Sequence, residues 1–131
     1  MIQLGSTANF ITLMNGKAMD IREASLDNGA EVIAFDKHGG ENQMFFVDQE
    51  IGWIINVFSR KAITYDHRSK KLVQQSYCSG TNQQWLFEPY QSGYIIRSSE
   101  NGEDVITYDP SARSLVLKPF TSEDNQLWII V

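Results

Sequence analysis

Asp20, Phe35, His38 and Asn42 lie within a span of fewer than thirty residues in this chain and carry the side chains best suited to chemistry. Asp20 stands in AMDI, Phe35 closes VIAF, and His38 and Asn42 bracket the paired glycines of HGGEN. A carboxylate, a ring, an imidazole and an amide suit the recognition of a pyranose. Such a ligand offers hydroxyls that donate and accept, plus a patch of C–H bonds on one face. Neutral hydrogen bonds gain little after desolvation, so charged or amide partners are needed, and an aromatic ring is needed to use the C–H patch. Gly39 and Gly40 let the loop bend closely beneath a ligand. Each residue also has a plainer reading. Asp20, between Met19 and Ile21, is directed away from a core by strand alternation and fits an edge or turn. Phe35 fits simple packing, and His38 fits a solvated loop.

The elements that position these residues follow from an internal repeat. NQMF (Asn42 to Phe45) returns as NQQW (Asn82 to Trp85) and as NQLW (Asn125 to Trp128). The glutamines at 43, 83 and 126 give spacings of 40 and 43, so three units account for nearly all of the 131 residues. Upstream of each Asn-Gln, the blocks VIAFDKHGGEN, LVQQSYCSGTN and LVLKPFTSEDN align without a gap. Further back, GKAMDI parallels RKAITY and EDVITY, and each unit opens with an aromatic-led run: FITLM, WIINVF, YIIRS. The repeats run over about residues 1–48, 49–89 and 90–131 of one domain. Turn signals at Asn15-Gly16, Asp27-Asn28-Gly29 and Asn101-Gly102 divide each unit into four short strand-like runs. No window sustains a helical period. Twelve strands in three copies predict an all-β fold with pseudo-threefold symmetry. A closed barrel with a hairpin cap buries three amphipathic units and removes sheet edges, which is a β-trefoil. In this fold the signature aromatic buries apolar area, and Gln43, Gln83 and Gln126 satisfy backbone groups at the turn.

Three Gln-x-aromatic signatures at this period, each with its upstream strand block, resemble the ricin B-type (R-type) lectins over essentially the whole chain. The first repeat is similar to that family's sugar-binding subdomains. The resemblance implies a carbohydrate-binding protein for glycans ending in galactose or N-acetylgalactosamine, with no cofactor and no catalysis. It implies that Asp20 accepts hydrogen bonds from sugar hydroxyls, that Phe35 stacks on the sugar where the family prefers tryptophan or tyrosine, and that Asn42 bonds a further hydroxyl. His38 completes the rim, and Gln43 joins the site set beside Asn42. The second and third repeats depart from this pattern. Thr64 and Thr107 stand where Asp20 does, and Gln75 and Lys118 where Phe35 does. A hydroxyl accepts less strongly than a carboxylate, and neither Gln nor Lys stacks as a ring does, so these repeats are expected to be silent or weakened. Tyr65-Asp66 and Tyr108-Asp109 are alternative polar groups there.

The remaining features bound the function. A net charge of −5 with no basic cluster beyond Lys70-Lys71 disfavours nucleic acid as a partner. The single cysteine, Cys78, allows no intrachain disulfide and fits a reducing compartment. The N-terminus lacks the basic and apolar regions of a signal peptide, and no apolar run reaches the ~18 residues of a membrane helix. The expectation is therefore a free-standing domain, cytoplasmic or released without a signal peptide, with no membrane insertion. Two histidines and one cysteine lack structural-zinc spacing, and SSENGED does not have the spacing of an EF-hand loop. A single shallow sugar site binds weakly and acts through multivalency, so a homodimer or a dense glycan surface is expected. The rival reading is a trefoil used as a rigid loop display, such as a protease inhibitor or another protein-binding module.

Overall fold

The computed structural model describes residues 7–131. The reading of the N-terminus, and the first six residues of the first repeat, lie outside the described residues. Strand-favouring β-branched and aromatic residues collect in short runs between turns, and each repeat forms four strands. The first repeat has β1 (Ile11–Leu13), β2 (Ala18–Ile21), β3 (Val32–Phe35) and β4 (Phe45–Asp48). The second has β5 (Trp53–Asn56), β6 (Ala62–Asp66), β7 (Lys71–Gln75) and β8 (Trp85–Tyr90). The third has β9 (Gly93–Ser98), β10 (Val105–Asp109), β11 (Ser114–Lys118) and β12 (Trp128–Ile130). Each Asn-Gln signature falls in a single 3₁₀ turn, at Glu41–Gln43, Thr81–Gln83 and Asp124–Gln126, immediately before the last strand of its repeat. Among the described residues no helix is long and apolar enough to cross a membrane.

The first and last strands of each repeat build the barrel. β1 pairs antiparallel with β12, β12 with β9, β9 with β8, and β4 with β5. The bridge between Asn9 and Phe45, and the Trp85 N–H donated to Gly52 O at 2.7 Å, close the ring. The middle strands form three hairpins, β2–β3, β6–β7 and β10–β11, which cap one end. Ser114 opposite Ile33 and Glu31 opposite Val73 join the hairpins to one another. This arrangement is a β-trefoil.

One core serves all three repeats. Met19, Ile63 and Ile106 occupy equivalent positions in it, as do Phe45, Trp85 and Trp128. The two indoles also satisfy a buried carbonyl each, Trp85 Nε1 donating to Ile63 O and Trp128 Nε1 to Ile106 O, both at 3.1 Å. Phe45 fills the same place without a donor. Gly52 precedes β5 and Gly93 begins β9, where two backbones approach closely. A Cβ at these positions would lie 2.6 Å from Trp85 O and 2.5 Å from Trp128 O, so no larger residue fits.

The pseudo-threefold axis is not chemically threefold. The residue that precedes the aligned block is Glu31 in the first repeat, Lys71 in the second and Ser114 in the third. Ser114 Oγ donates to Glu31 Oε2 at 2.9 Å, and Lys71 Nζ lies 3.7 Å from Glu31 Oε1. Arg22 adds a contact at 3.3 Å. Burial opposes ionisation of Glu31, yet the Ser114 hydroxyl, Arg22 and Lys71 together hold its carboxyl below the usual 4.5.

Candidate functional site

In the first repeat, Asp20 lies in β2 between two core residues, so its side chain leaves the barrel on the opposite side from Met19 and Ile21. Alternation thus directs it as expected, but not into open solvent. Asp20 is only 3% exposed, because the Glu41–Gln43 turn folds over it. Gln43 Nε2 donates to Asp20 Oδ2 at 2.8 Å, and Asn42 Nδ2 donates to Asp20 Oδ1 at 3.2 Å. Burial raises the carboxyl above its usual 3.8, against the opposing effect of the Gln43 hydrogen bond, the nearby His38 and the Asn42 hydrogen bond.

Asp20, Phe35, His38 and Asn42 line one open hollow of about 510 Å³, together with Arg22, Glu23, Ala24 and Ile33. Phe35 ends β3 and is 52% exposed as a residue, unusual for phenylalanine and suited to a stacking wall. Asn42 Nδ2 also donates to Ile21 O at 3.1 Å, so the amide nitrogen is committed within the protein. Gln43 does not line the hollow. It is fully buried, accepts the His38 backbone N–H through Oε1 at 2.9 Å, and donates to Asp36 O at 2.9 Å as well as to Asp20. It holds the carboxylate and the loop from beneath.

Arg22, Glu23 and Ala24 were not among the residues singled out from sequence. They belong to the β2–β3 connection, and Glu23 and Ala24 adopt left-handed φ values of 56° and 51°. Non-glycine residues held there store backbone strain. A signal for this wall exists in the repeat spacing. Asp20 and Gln43 are 23 residues apart, whereas Thr64 and Gln83, and Thr107 and Gln126, are 19 apart. The extra length lies in the first hairpin and supplies the added rim.

The other two repeats keep the glutamine scaffold and lose the carboxylate. Gln83 Nε2 donates to Thr64 Oγ1 and Gln126 Nε2 to Thr107 Oγ1, both at 3.1 Å. Each threonine hydroxyl in turn donates to a carbonyl two residues back, Ala62 O and Val105 O. Asn82 and Asn125 donate to Tyr65 O and Tyr108 O, matching the bond from Asn42 to Ile21 O. The second repeat has a comparable hollow of about 440 Å³. Gln75 and Cys78 line it where Phe35 and His38 line the first, and Tyr65, Asp66 and His67 also border it. His67 Nε2 meets Glu100 Oε1 at 2.6 Å, and its ring stands edge-on to Tyr65. The third repeat's hollow, about 330 Å³, is lined by Leu13, Met14, Asn15, Tyr108, Pro110, Asp124 and Asn125 and does not reach Thr107 or Lys118. No three His, Cys, Asp or Glu side chains gather as a metal site among the described residues.

Comparison with known proteins places this geometry in context. The profile of the ricin-type beta-trefoil lectin domain matches residues 7–128. Among solved structures, a designed threefold-symmetric protein, ThreeFoil, is similar at 26% identity and a TM-score of 0.85, over 95% of this chain and 97% of that one. The C-half of an earthworm R-type lectin, solved in complex with GalNAc, is similar at 23% identity and a TM-score of 0.77, over 94% of this chain and 96% of that one. An exo-beta-1,3-galactanase from Clostridium thermocellum is similar at 27% identity and a TM-score of 0.82, over 97% of this chain but only 30% of the enzyme. No curated protein sequence matches significantly.

Proposed function

Because the chain belongs to the ricin-type beta-trefoil lectin domain family, we propose that it is a non-catalytic lectin whose first repeat binds glycans ending in galactose or N-acetylgalactosamine. The observation that carries this reading is the convergence in one hollow of a buried anionic acceptor, Asp20, and an exposed ring, Phe35, with His38 and Asn42 on the same lining. Asp20 accepts from ligand hydroxyls with the strength of a charged acceptor, and its low exposure keeps competing water away. Phe35 covers the apolar face of the sugar, and the Asn42 carbonyl accepts from another hydroxyl. Galactose-type ligands are in keeping with the names of two similar proteins, the GalNAc-bound earthworm lectin and the Clostridium galactanase.

The repeats with Thr64 and Thr107 are proposed to be weak or silent toward the same sugar, since neither offers a carboxylate facing a ring. One effective site per chain gives low intrinsic affinity, so function at a glycan surface would rely on a homodimer or on dense ligands. The test is calorimetric titration with galactose and N-acetylgalactosamine, alongside a glycan array. Saturable binding at one site per chain, lost in Asp20→Thr, supports the reading. No binding to either sugar, or binding that survives Asp20→Thr, rejects it.

A further inference from the structure

We propose that the residue before each signature turn, Gly40, Gly80 or Glu123, is a positioning residue. Its side-chain bulk decides whether the signature asparagine can offer its carbonyl oxygen to a ligand, and Glu123 shuts the third repeat. The shutter rests on contacts within the protein alone; its consequence for a ligand rests on the saccharide reading above.

The backbone does not call for glycine at these positions. Gly40 has φ −70° and ψ 157°, Gly80 has −68° and 152°, and Glu123 has −85° and 157°. All three lie in the extended region that any residue adopts. What the glycines supply is room. A Cβ on Gly40 would fall 2.9 Å from Asn42 Oδ1, and one on Gly80 would fall 2.8 Å from Asn82 Oδ1. The asparagines are not free to swing aside. Each is tethered through its amide nitrogen, Asn42 to Ile21 O, Asn82 to Tyr65 O and Asn125 to Tyr108 O, at 3.1, 3.1 and 3.0 Å.

In the third repeat that Cβ is present. Glu123 keeps the same backbone conformation, and Asn125 Oδ1 is the one buried side-chain oxygen or nitrogen without a hydrogen-bond partner among the described residues. A buried acceptor with no donor has lost its hydration and gained nothing in return. The Glu123 carboxylate does not compensate, since it accepts from Thr121 Oγ1 at 2.9 Å and has no proton to give. Asn42 and Asn82 carry the same tether, yet their Oδ1 atoms are not shut away, and both residues line the hollows of their repeats. The second and third repeats therefore differ in kind. The second lacks a carboxylate and a ring but keeps its asparagine open. The third has lost the asparagine as well.

Carbon-13 labelling of the asparagine side chains reads the shutter with no sugar present, because a carbonyl carbon moves downfield when its oxygen accepts from water. Thermal melts confirm that each variant folds. Glu123→Gly is expected to move Asn125 Cγ downfield. Glu123→Ala, which removes the carboxylate and keeps the Cβ, is expected to leave it in place. Gly80→Ala is expected to move Asn82 Cγ upfield; a Cβ there otherwise meets only Cys78 Sγ, at an ordinary 3.6 Å. An Asn125 signal that moves as far in Glu123→Ala as in Glu123→Gly overturns the proposal, because charge and not bulk would then close the repeat. An Asn82 signal unmoved in Gly80→Ala overturns it as well. The consequence for a ligand is read from methyl galactoside affinity in His38→Ala and in His38→Ala with Gly40→Ala, a pair in which the added methyl no longer meets the imidazole. A further loss of about three- to tenfold is expected, the range for one neutral hydrogen bond. Equal affinities overturn that consequence. If the wild type binds no galactoside, the saccharide reading fails, and the carbonyl shifts alone still decide the shutter.

Discussion

Substituting Asp20 separates what the carboxylate does for the fold from what it does for a ligand. Asp20→Ala leaves one proton of the buried Gln43 amide with no acceptor, while the other keeps Asp36 O. An orphaned buried donor costs roughly 1–3 kcal/mol. Removing a carboxylate whose pKa is raised by burial offsets part of this, so a net loss of about 1–2 kcal/mol is expected. At an unfolding entropy near 2.1 cal/mol/K per residue, a chain of this size loses about 4 °C in Tm for each kcal/mol. Asp20→Ala should thus melt about 4–8 °C below the wild type. Asp20→Thr should not. The second and third repeats already show a threonine hydroxyl accepting from the glutamine and donating to the carbonyl two residues back. Ala18 O stands at the matching place for residue 20. A Tm within about 2 °C of wild type is expected for Asp20→Thr. Both variants should lose at least about tenfold in sugar affinity, because hydrogen bonds to a charged acceptor contribute roughly 1.5–3 kcal/mol. Differential scanning calorimetry and sugar titration on the same samples read both quantities. If Thr proves as destabilising as Ala, the glutamine-acceptor account is wrong. If Thr binds sugar as the wild type does, the carboxylate is not the acceptor.

Three further outcomes follow from the same geometry. Gln126→Ala removes acceptors for the Thr121 N–H and hydroxyl and donors to Thr107 Oγ1 and Pro119 O; it should cost roughly 2–4 kcal/mol in denaturant unfolding while leaving the affinity of the first hollow unchanged. Phe35→Ala should weaken sugar binding severalfold with a stability change below about 1 kcal/mol, since the residue is half exposed, and Phe35→Trp should strengthen binding, both read by titration. Acidification should weaken sugar binding as Asp20 protonates, with a midpoint above 3.8, whereas Asp20→Asn should bind weakly and lack that transition. For folding the sign is opposite. The fold favours protonated Asp20, so this residue's stabilising contribution is fully present below 3.8 and is lost as pH rises through the raised folded value.

The architecture was legible because three copies of the same pattern had to satisfy one core. The Gln-x-aromatic signatures, the aligned strand blocks and the Asn-Gly turns each mark a repeated burial problem, and repetition makes a weak local signal strong. Side-chain environment was less legible. Alternation correctly turned Asp20 away from Met19 and Ile21, yet its burial depends on a turn 22 residues later that folds back over it. Gln43 was read both as a fold residue and as a site residue; its contacts show it supporting Asp20 from the side away from the hollow. The rim at Arg22, Glu23 and Ala24 lies between the two aligned blocks of the first repeat, in a connection longer than its counterparts, where no residue of the other repeats corresponds to it. Phe35 could not be assigned to wall or core from its type alone, since the choice is set by where β3 ends relative to the cap.

The mixed trio on the axis sets a rule for rebuilding this protein with greater valency. Copying the first repeat into all three lobes would put a glutamate at positions 31, 71 and 114 together, where a carboxylate, an ammonium and a hydroxyl now meet. Three like charges at that separation would repel one another and favour proton uptake. A trivalent version therefore needs a neutral, mutually bonding residue at this one position in at least two lobes. The present sequence forgoes symmetry there, and three unlike groups bond where three identical ones would repel.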